Sequence, residues 1–237
     1  MEIKILFNSH AISNEFLAGW GFSALIGDHI LFDTGESGEY LLQNMQRLHM
    51  DISLIEAVII SHDHWDHTGG LWAVLEKRKG IQVFSCPHFG SDFKRRVSDL
   101  GGQLTEVDRL TEIEENIWIT GEIQGTYTGL PIAEQAVVIK SKKGMTVITG
   151  CAHPGVLQIM KKIRDECPKG RFYQVLGGFH LMNTDPGSVR EIIKGLQRFN
   201  IQKIGPTHCT GEAAEALFKE IYAERYIPVK IGQMIEA

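Results

Sequence analysis

A chain of 237 residues, 43% of them hydrophobic, carries enough apolar material for a substantial core. Its formal net charge of −5 argues against a surface given over to nucleic acid, and no apolar run approaches the length a membrane span requires. Cys86, Cys151, Cys167 and Cys209 form no Cys-x-x-Cys pair, which excludes a zinc ribbon and a thioredoxin-like motif and leaves reduced thiols as the expectation.

The chain runs directly into Ile3-Lys4-Ile5-Leu6-Phe7, strand-like, too short for a signal core and without a small-residue cleavage pattern, so a soluble cytosolic protein is expected. Further strands are predicted over 22–26, 29–32 and 57–60, with Gly27-Asp28 as the hairpin turn between the first two. After Asp33-Thr34-Gly35 the spacing of Tyr40, Leu41, Met45 and Leu48 predicts a helix. Another starts at Gly70, with Leu71, Val74 and Leu75 on one face. A strand precedes Cys86. Lys94-Arg95-Arg96 reads as a solvated helix face, with a contact to an anionic substrate as the alternative.

In the second half, strands are predicted over 136–140 and 145–149 around the turn Lys142-Lys143-Gly144. Helix and strand then alternate: a helix over 156–167, a strand over 172–176, a helix over 188–199 opened by Asp185-Pro186, a strand over 201–204, a helix over 213–224 and a strand over 229–231. Periodicity alone gives a mixed α/β protein. No low-complexity or long polar stretch marks a boundary, so a single domain over 1–237 is the simplest organisation.

His62, His64, Asp66 and His67 stand within six residues, directly after the apolar run that ends at Ile60. Histidines two apart in an extended segment point the same way, so His62 and His64 can grip one ion, while the turn at Trp65 swings Asp66 and His67 toward a second. A merely polar loop would leave these imidazoles and carboxylate without a common purpose. Asp33, His153, His180 and His208 all fall at predicted strand-to-helix junctions, and in layered α/β proteins such ends converge on one edge of the sheets.

The residues around these positions carry a resemblance. Ser61-His62-Asp63-His64-Trp65-Asp66-His67-Thr68-Gly69-Gly70-Leu71, Ile30-Leu31-Phe32-Asp33-Thr34-Gly35, Thr149-Gly150-Cys151-Ala152-His153, Gly177-Gly178-Phe179-His180-Leu181 and Pro206-Thr207-His208-Cys209-Thr210-Gly211 together resemble the metallo-β-lactamase superfamily. Within it they are similar to the subgroup of the dihydropterin-ribofuranosylaminobenzene phosphate synthase and related metal-dependent hydrolases. The resemblance spans Phe22 to Gly211 and implies a four-layer αββα sandwich.

It also implies roles. His62 and His64 would bind a first metal, Asp66 and His67 a second, and His208 would complete the second. Many relatives place a bridging aspartate where Cys151 stands here, so His153, two residues on, is taken as the ligand with Cys151 behind it. One or two ions per chain are implied. Zinc comes first, with manganese, iron or magnesium as alternatives. Asp66 and His180 are the catalytic candidates: Asp66 to take a proton, His180 to donate one or to contact an anion. Asp33 would accept a hydrogen bond from a liganding imidazole or orient the Ser61–His67 loop. His88 would line the pocket mouth; His10, His29 and His49 are assigned to surface or packing. Since adjacent side chains in an extended segment diverge, His208 rather than Cys209 would face the metal.

The activity implied is hydrolysis of an ester, amide or phosphoester of a small, anionic, cytosolic substrate by a metal-bound hydroxide, the ion bringing the pKa of its water to roughly 7. A synthase acting on a pterin diphosphate is the nearest rival, and a non-catalytic sensor that keeps the metal or ligand site is a third reading. β-Lactam cleavage is not expected without a secretion signal. Iron redox chemistry is not expected without a flavodoxin-like extension.

Overall fold

The aliphatic runs form strands buried on both faces, as near-continuous Ile, Leu and Val content requires. The computed structural model describes residues 1–237, which divide into two compact units: Met1–Asp108 with Lys230–Glu236, and Arg109–Val229 with Ala237.

The first unit contains β1 (Glu2–Phe7), β2 (Ser23–Ile26), β3 (Ile30–Phe32), α1 (Gly38–Arg47), β4 (Ala57–Ile59), α2 (Trp65–Thr68), α3 (Leu71–Lys77), β5 (Gln82–Ser85), α4 (Ser91–Asp99) and β6 (Gln103–Glu106). Together with the C-terminal strand Met234–Glu236, the strands make one seven-stranded sheet in the order C-terminal strand, β1, β2, β3, β4, β5, β6. β2 and β3 are an antiparallel hairpin turned at Gly27, whose φ of 63° suits a residue without a Cβ. From β3 to β6 the strands run parallel, so the segments leaving β3 and β4 emerge side by side. Ser37 caps α1 by accepting from the Tyr40 N–H, and α1 buries Leu41, Asn44 and Met45. Asn44 donates to the carbonyls of Leu6 and Leu17, tying the helix to β1 and to the segment after it.

The second unit contains β7 (Thr111–Glu114), β8 (Ile117–Ile119), β9 (Ile123–Tyr127), β10 (Leu130–Glu134), β11 (Val137–Ser141), β12 (Gly144–Thr149), α5 (Val156–Glu166), β13 (Phe172–Gly178), α6 (Pro186–Gln197), β14 (Lys203–Thr207) and α7 (Glu212–Tyr222). Its six-stranded sheet runs β14, β13, β12, β11, β8, β7, and β9 with β10 forms a separate two-stranded ribbon. β12, β13 and β14 are parallel, with Thr149 opposite Gly177 and Gly177 opposite Pro206, so their C-terminal ends lie in one row. α5, α6 and α7 cover this sheet through Met160, Ile193 and Phe218.

Most predicted elements form within two residues of their expected ends. The strand expected over 201–204 runs on to Thr207 because β14 is an edge strand, where Pro206 removes no hydrogen bond the sheet needs. The strand expected over 229–231 does not form. Pro228 lacks an N–H, Ile231 makes only an isolated bridge to Ala11, and Gly232 (φ 87°) turns the chain so that Met234–Glu236 pairs with β1 instead. No helix is long and apolar enough to cross a membrane.

On α7, burial pushes the Glu215 carboxyl up to about 7, with Tyr226 donating a hydrogen bond to it and Glu212 and Cys209 adding to the rise. A carboxyl raised in the folded state stabilises the fold at low pH, and that contribution is lost as the pH climbs from the unfolded value of about 4.5 toward 7. Urea denaturation is therefore expected to show wild type losing about 1–2 kcal/mol between pH 5 and pH 8, allowing for partial exposure. Glu215→Gln should remove that loss.

Candidate metal centre

In the first unit the site is built on Asp33, the residue after β3. It has no exposed surface and takes a left-handed backbone with φ 54°. Because β3 and β4 are parallel neighbours, Asp33 reaches the chain leaving β4: its carboxylate accepts from the Ser61 N–H, the Ser61 hydroxyl and Nδ1 of His67, each at 2.7 Å. The Ser61 hydroxyl, donating to Asp33, in turn accepts from Nδ1 of His62 at 2.8 Å. Both imidazoles are thereby held with the proton on Nδ1 and the lone pair on Nε2, the arrangement a metal-binding histidine needs. Burial pushes the Asp33 carboxyl above its ordinary value, opposed by the charge and hydrogen bond of His67 and by the Ser61 bonds.

The His62 ring lies 4.7 Å from that of His64 and 4.1 Å from that of His67. Donor atoms of His62 and His64 lie within 4.8 Å of each other, as do those of Asp66 and His67. Asp66 Oδ2 stands 3.5 Å from His67 Nε2. Two ligands at about 2.1 Å from a tetrahedral ion are about 3.4 Å apart, so this pair has the spacing of one edge of a coordination sphere. Gly69 and Gly70 carry the chain from α2 into α3, passing against the segment that follows β3. A Cβ at Gly70 would lie 2.2 Å from the Thr34 carbonyl and one at Gly69 2.1 Å from that of Glu36, so the turn after the histidines admits no side chain.

In the second unit the row of parallel strand ends delivers Cys151, His153, His180 and His208. Its anchor is Glu134, the last residue of β10, 1% exposed. The carboxylate accepts from the backbone N–H of Cys151 (2.9 Å), Ala152 (2.6 Å) and His153 (2.7 Å), and from His153 Nδ1 (2.9 Å). Burial pushes this carboxyl up too, but here the hydrogen bonds and charge of His153 with the backbone donors win, and it sits below its ordinary value. Donor atoms of Cys151, His153 and His180 fall within 4.8 Å of one another, as do those of Cys151 and His208. Ala152, His180 and His208 have φ of 60°, 52° and 55°, so each loop leaving β12, β13 and β14 turns through a left-handed residue that carries a side chain. Such backbone concentrates at functional sites.

His180 joins the donors of its unit and is the exposed member among them, its ring 4.5 Å from that of His153 and 5.8 Å from Tyr127. Cys209 is directed at the Cys151 carbonyl, 3.6 Å from Sγ. His10, His49 and His88 are exposed, and His29 bonds its neighbour Asp28. Lys94 bonds Glu106 and the Pro87 carbonyl, Arg95 bonds Asp92, and Arg96 lies over the Trp72 ring at 4.1 Å. All three cations are engaged on their own helix or its neighbours, as for a structural helix face.

The family model for the metallo-beta-lactamase superfamily matches residues 21–208. The chain belongs to that superfamily. The superfamily chain from Methanocaldococcus jannaschii described as 7,8-dihydropterin-6-methyl-4-(beta-D-ribofuranosyl)-aminobenzene-5'-phosphate synthase is 29% identical, with 89% of this chain and 85% of that one aligned. The crystal structure of Tm1679, described as a metal-dependent hydrolase of the beta-lactamase superfamily, superposes with a TM-score of 0.85 at 29% identity over 100% of this chain and 99% of that one. The metallo-beta-lactamase fold protein YhfI from Bacillus subtilis shares the fold, with a TM-score of 0.70 at 14% identity over 99% of each chain. The α/β fold is thus of the metallo-β-lactamase type.

Glu134 is a site residue that sequence reasoning missed. Its signal was present, a lone carboxylate in the otherwise uncharged run from Ile132 to Ile139, but nothing in that run says which imidazole it meets. Removing it strands three buried N–H groups at about 1–3 kcal/mol each. Glu134→Ala, unfolded by urea in the presence of a chelator, is expected to lose about 3–5 kcal/mol, and Glu134→Gln, which keeps one acceptor oxygen, less than half of that.

Proposed function

We propose that this protein is a metal-dependent hydrolase acting on an ester, amide or phosphoester bond of a small anionic substrate. The observation that carries the reading is the pair of buried carboxylate–imidazole contacts, Asp33 with His67 and Glu134 with His153. Each fixes the imidazole tautomer that offers Nε2 to a cation, and such carboxylates are the usual companions of metal-bound histidines. The donors His62, His64, Asp66, His67, His153 and His208, with Cys151 available in addition, are nitrogen, carboxylate and thiolate groups that suit one or two zinc ions. When bound, a divalent ion supplies a Lewis acid and water acidified to a pKa of about 7.

The chain's own residues then do the rest. Asp33 and Glu134 hold His67 and His153 in orientation. Asp66 presents a carboxylate able to take up the proton of attacking water, and His180, the exposed imidazole, donates to the leaving group or contacts a substrate anion. The family match runs unbroken from 21 to 208 and so supports treating 1–237 as one metallo-β-lactamase-like domain. No disulfide joins Cys86, Cys151, Cys167 or Cys209, which is compatible with a reducing, cytosolic setting.

A second reading is favoured by the 29% identity to the dihydropterin-ribofuranosylaminobenzene phosphate synthase: transfer of a pterin from its diphosphate to an acceptor. A carbon–carbon or carbon–nitrogen bond would form as the carbon–oxygen bond to diphosphate breaks, with water kept out and a cation held by the same donors available to neutralise the departing diphosphate. Metal analysis of protein purified without added zinc, followed by phosphodiester, phosphomonoester, thioester and lactone substrates, separates the two. Turnover of any of these supports hydrolysis; product formation only from a pterin diphosphate with an acceptor would replace it. His64→Ala and His208→Ala are each expected to lower metal content and turnover together, by at least tenfold in turnover. His180→Ala should keep the metal and slow turnover; loss of metal with His180→Ala would move this imidazole among the ligands.

A further inference from the structure

Behind the two imidazoles of the second unit lies an open pocket of about 190 Å³. Val156 and Leu157 of α5, Ile192 of α6, and Phe179 and Leu181 from the loop after β13 wall it, and no Asp, Glu, Lys or Arg lines it. His153 and His180 supply its polar rim. Gly155, at φ 92°, also borders it, with nothing within 4 Å of the place where a Cβ would be. Tyr127, 43% exposed at the end of β9, packs edge-on against both rim imidazoles, at 5.4 Å from His153 and 5.8 Å from His180.

We propose that this pocket is a specificity site that seats an uncharged apolar or aromatic group of the substrate, attached close to the bond that reacts. The proposal rests on the reading of His153 and His180 as part of the reactive centre and deepens it. Size and lining both point this way. An apolar cavity of about 150 Å³ accepts a benzene ring, so the volume here accommodates a substituted six-membered ring or a branched chain of about five or six carbons. A charged group placed there would lose its hydration against aliphatic walls with no ion to pair with, so any anion of the substrate lies outside the pocket. Leu157 and Ile192 are the partly exposed aliphatic members of its wall.

The test uses 4-fluorobenzyl alcohol, observed by fluorine NMR on the full chain both metal-free and zinc-loaded. Saturable binding in both forms is expected, with proton contacts from the ring to the methyl groups of Leu157 and Ile192. Ile192→Glu, which puts a charge on the wall, and Ile192→Trp, which fills the space with apolar bulk, should each weaken binding at least tenfold while circular dichroism and zinc content stay as in wild type. Leu157→Gln gives an independent reading should either misfold. Absence of saturation, binding that needs the zinc, or variants that bind like wild type would overturn the proposal. Should the probe bind as described while no ester, amide or phosphoester is turned over, the pocket stands and the hydrolytic assignment falls.

Discussion

A carboxylate moved out of water is tolerated only where hydrogen bonds replace its lost hydration, and each unit of this protein keeps one such group at the root of its histidine loops. Asp33 spends its acceptor capacity on Ser61 and His67, and Glu134 on three successive backbone N–H groups and His153. His62 and His64 in the first unit, and Cys151 and His153 in the second, stand outside regular secondary structure, while Asp66 and His67 fall in the single turn of α2. The carboxylates therefore substitute for a ladder, fixing main chain and imidazole with the same two oxygens. Loop conformation and ligand tautomer become one property.

Parallel strand pairing explains why the carboxylates find their partners. In a parallel pair neighbouring chains leave the sheet at the same edge, and the register places Asp33 beside the exit of β4 and aligns the exits of β12, β13 and β14. The turns that follow are tight. Left-handed backbone at Asp33, Ala152, His180 and His208 costs conformational energy that the hydrogen bonds and packing around each loop must offset. Gly177 shows how close the approach is, since a Cβ there would lie 2.0 Å from the Thr149 carbonyl.

The ligand loop was legible because its chemistry is local. Four ligand-type side chains crowd into six residues at a strand end, a density that a shared cation explains, and Gly69-Gly70 marks a close passage of the chain. Strands such as β4 and β12 and helices such as α1 and α6 declare themselves by aliphatic runs, periodic burial and caps. The ribbon β9–β10 does not. Only half of its residues are exposed, but Gly125, Thr126 and Pro131 interrupt any regular apolar alternation, and it ends in the carboxylate that orders the Cys151–His153 turn. The C-terminal strand was misplaced for a related reason: Val229 and Ile231 are the more apolar residues, but Pro228 and Gly232 decide where pairing can occur.

What the sequence determined by itself was therefore the class of chemistry: the alternating elements of an α/β protein, imidazoles and a carboxylate at strand ends, and glycines where the chain must turn. Tertiary structure alone decided which carboxylate orients which histidine, because Glu134 and His153 are brought together by the placement of a ribbon 19 residues away, and that placement leaves no local pattern. It also decided the apolar pocket, whose walls come from α5, α6 and the loop after β13. Each of those residues reads in sequence as ordinary core, and only packing shows that their side chains stop short of filling the space.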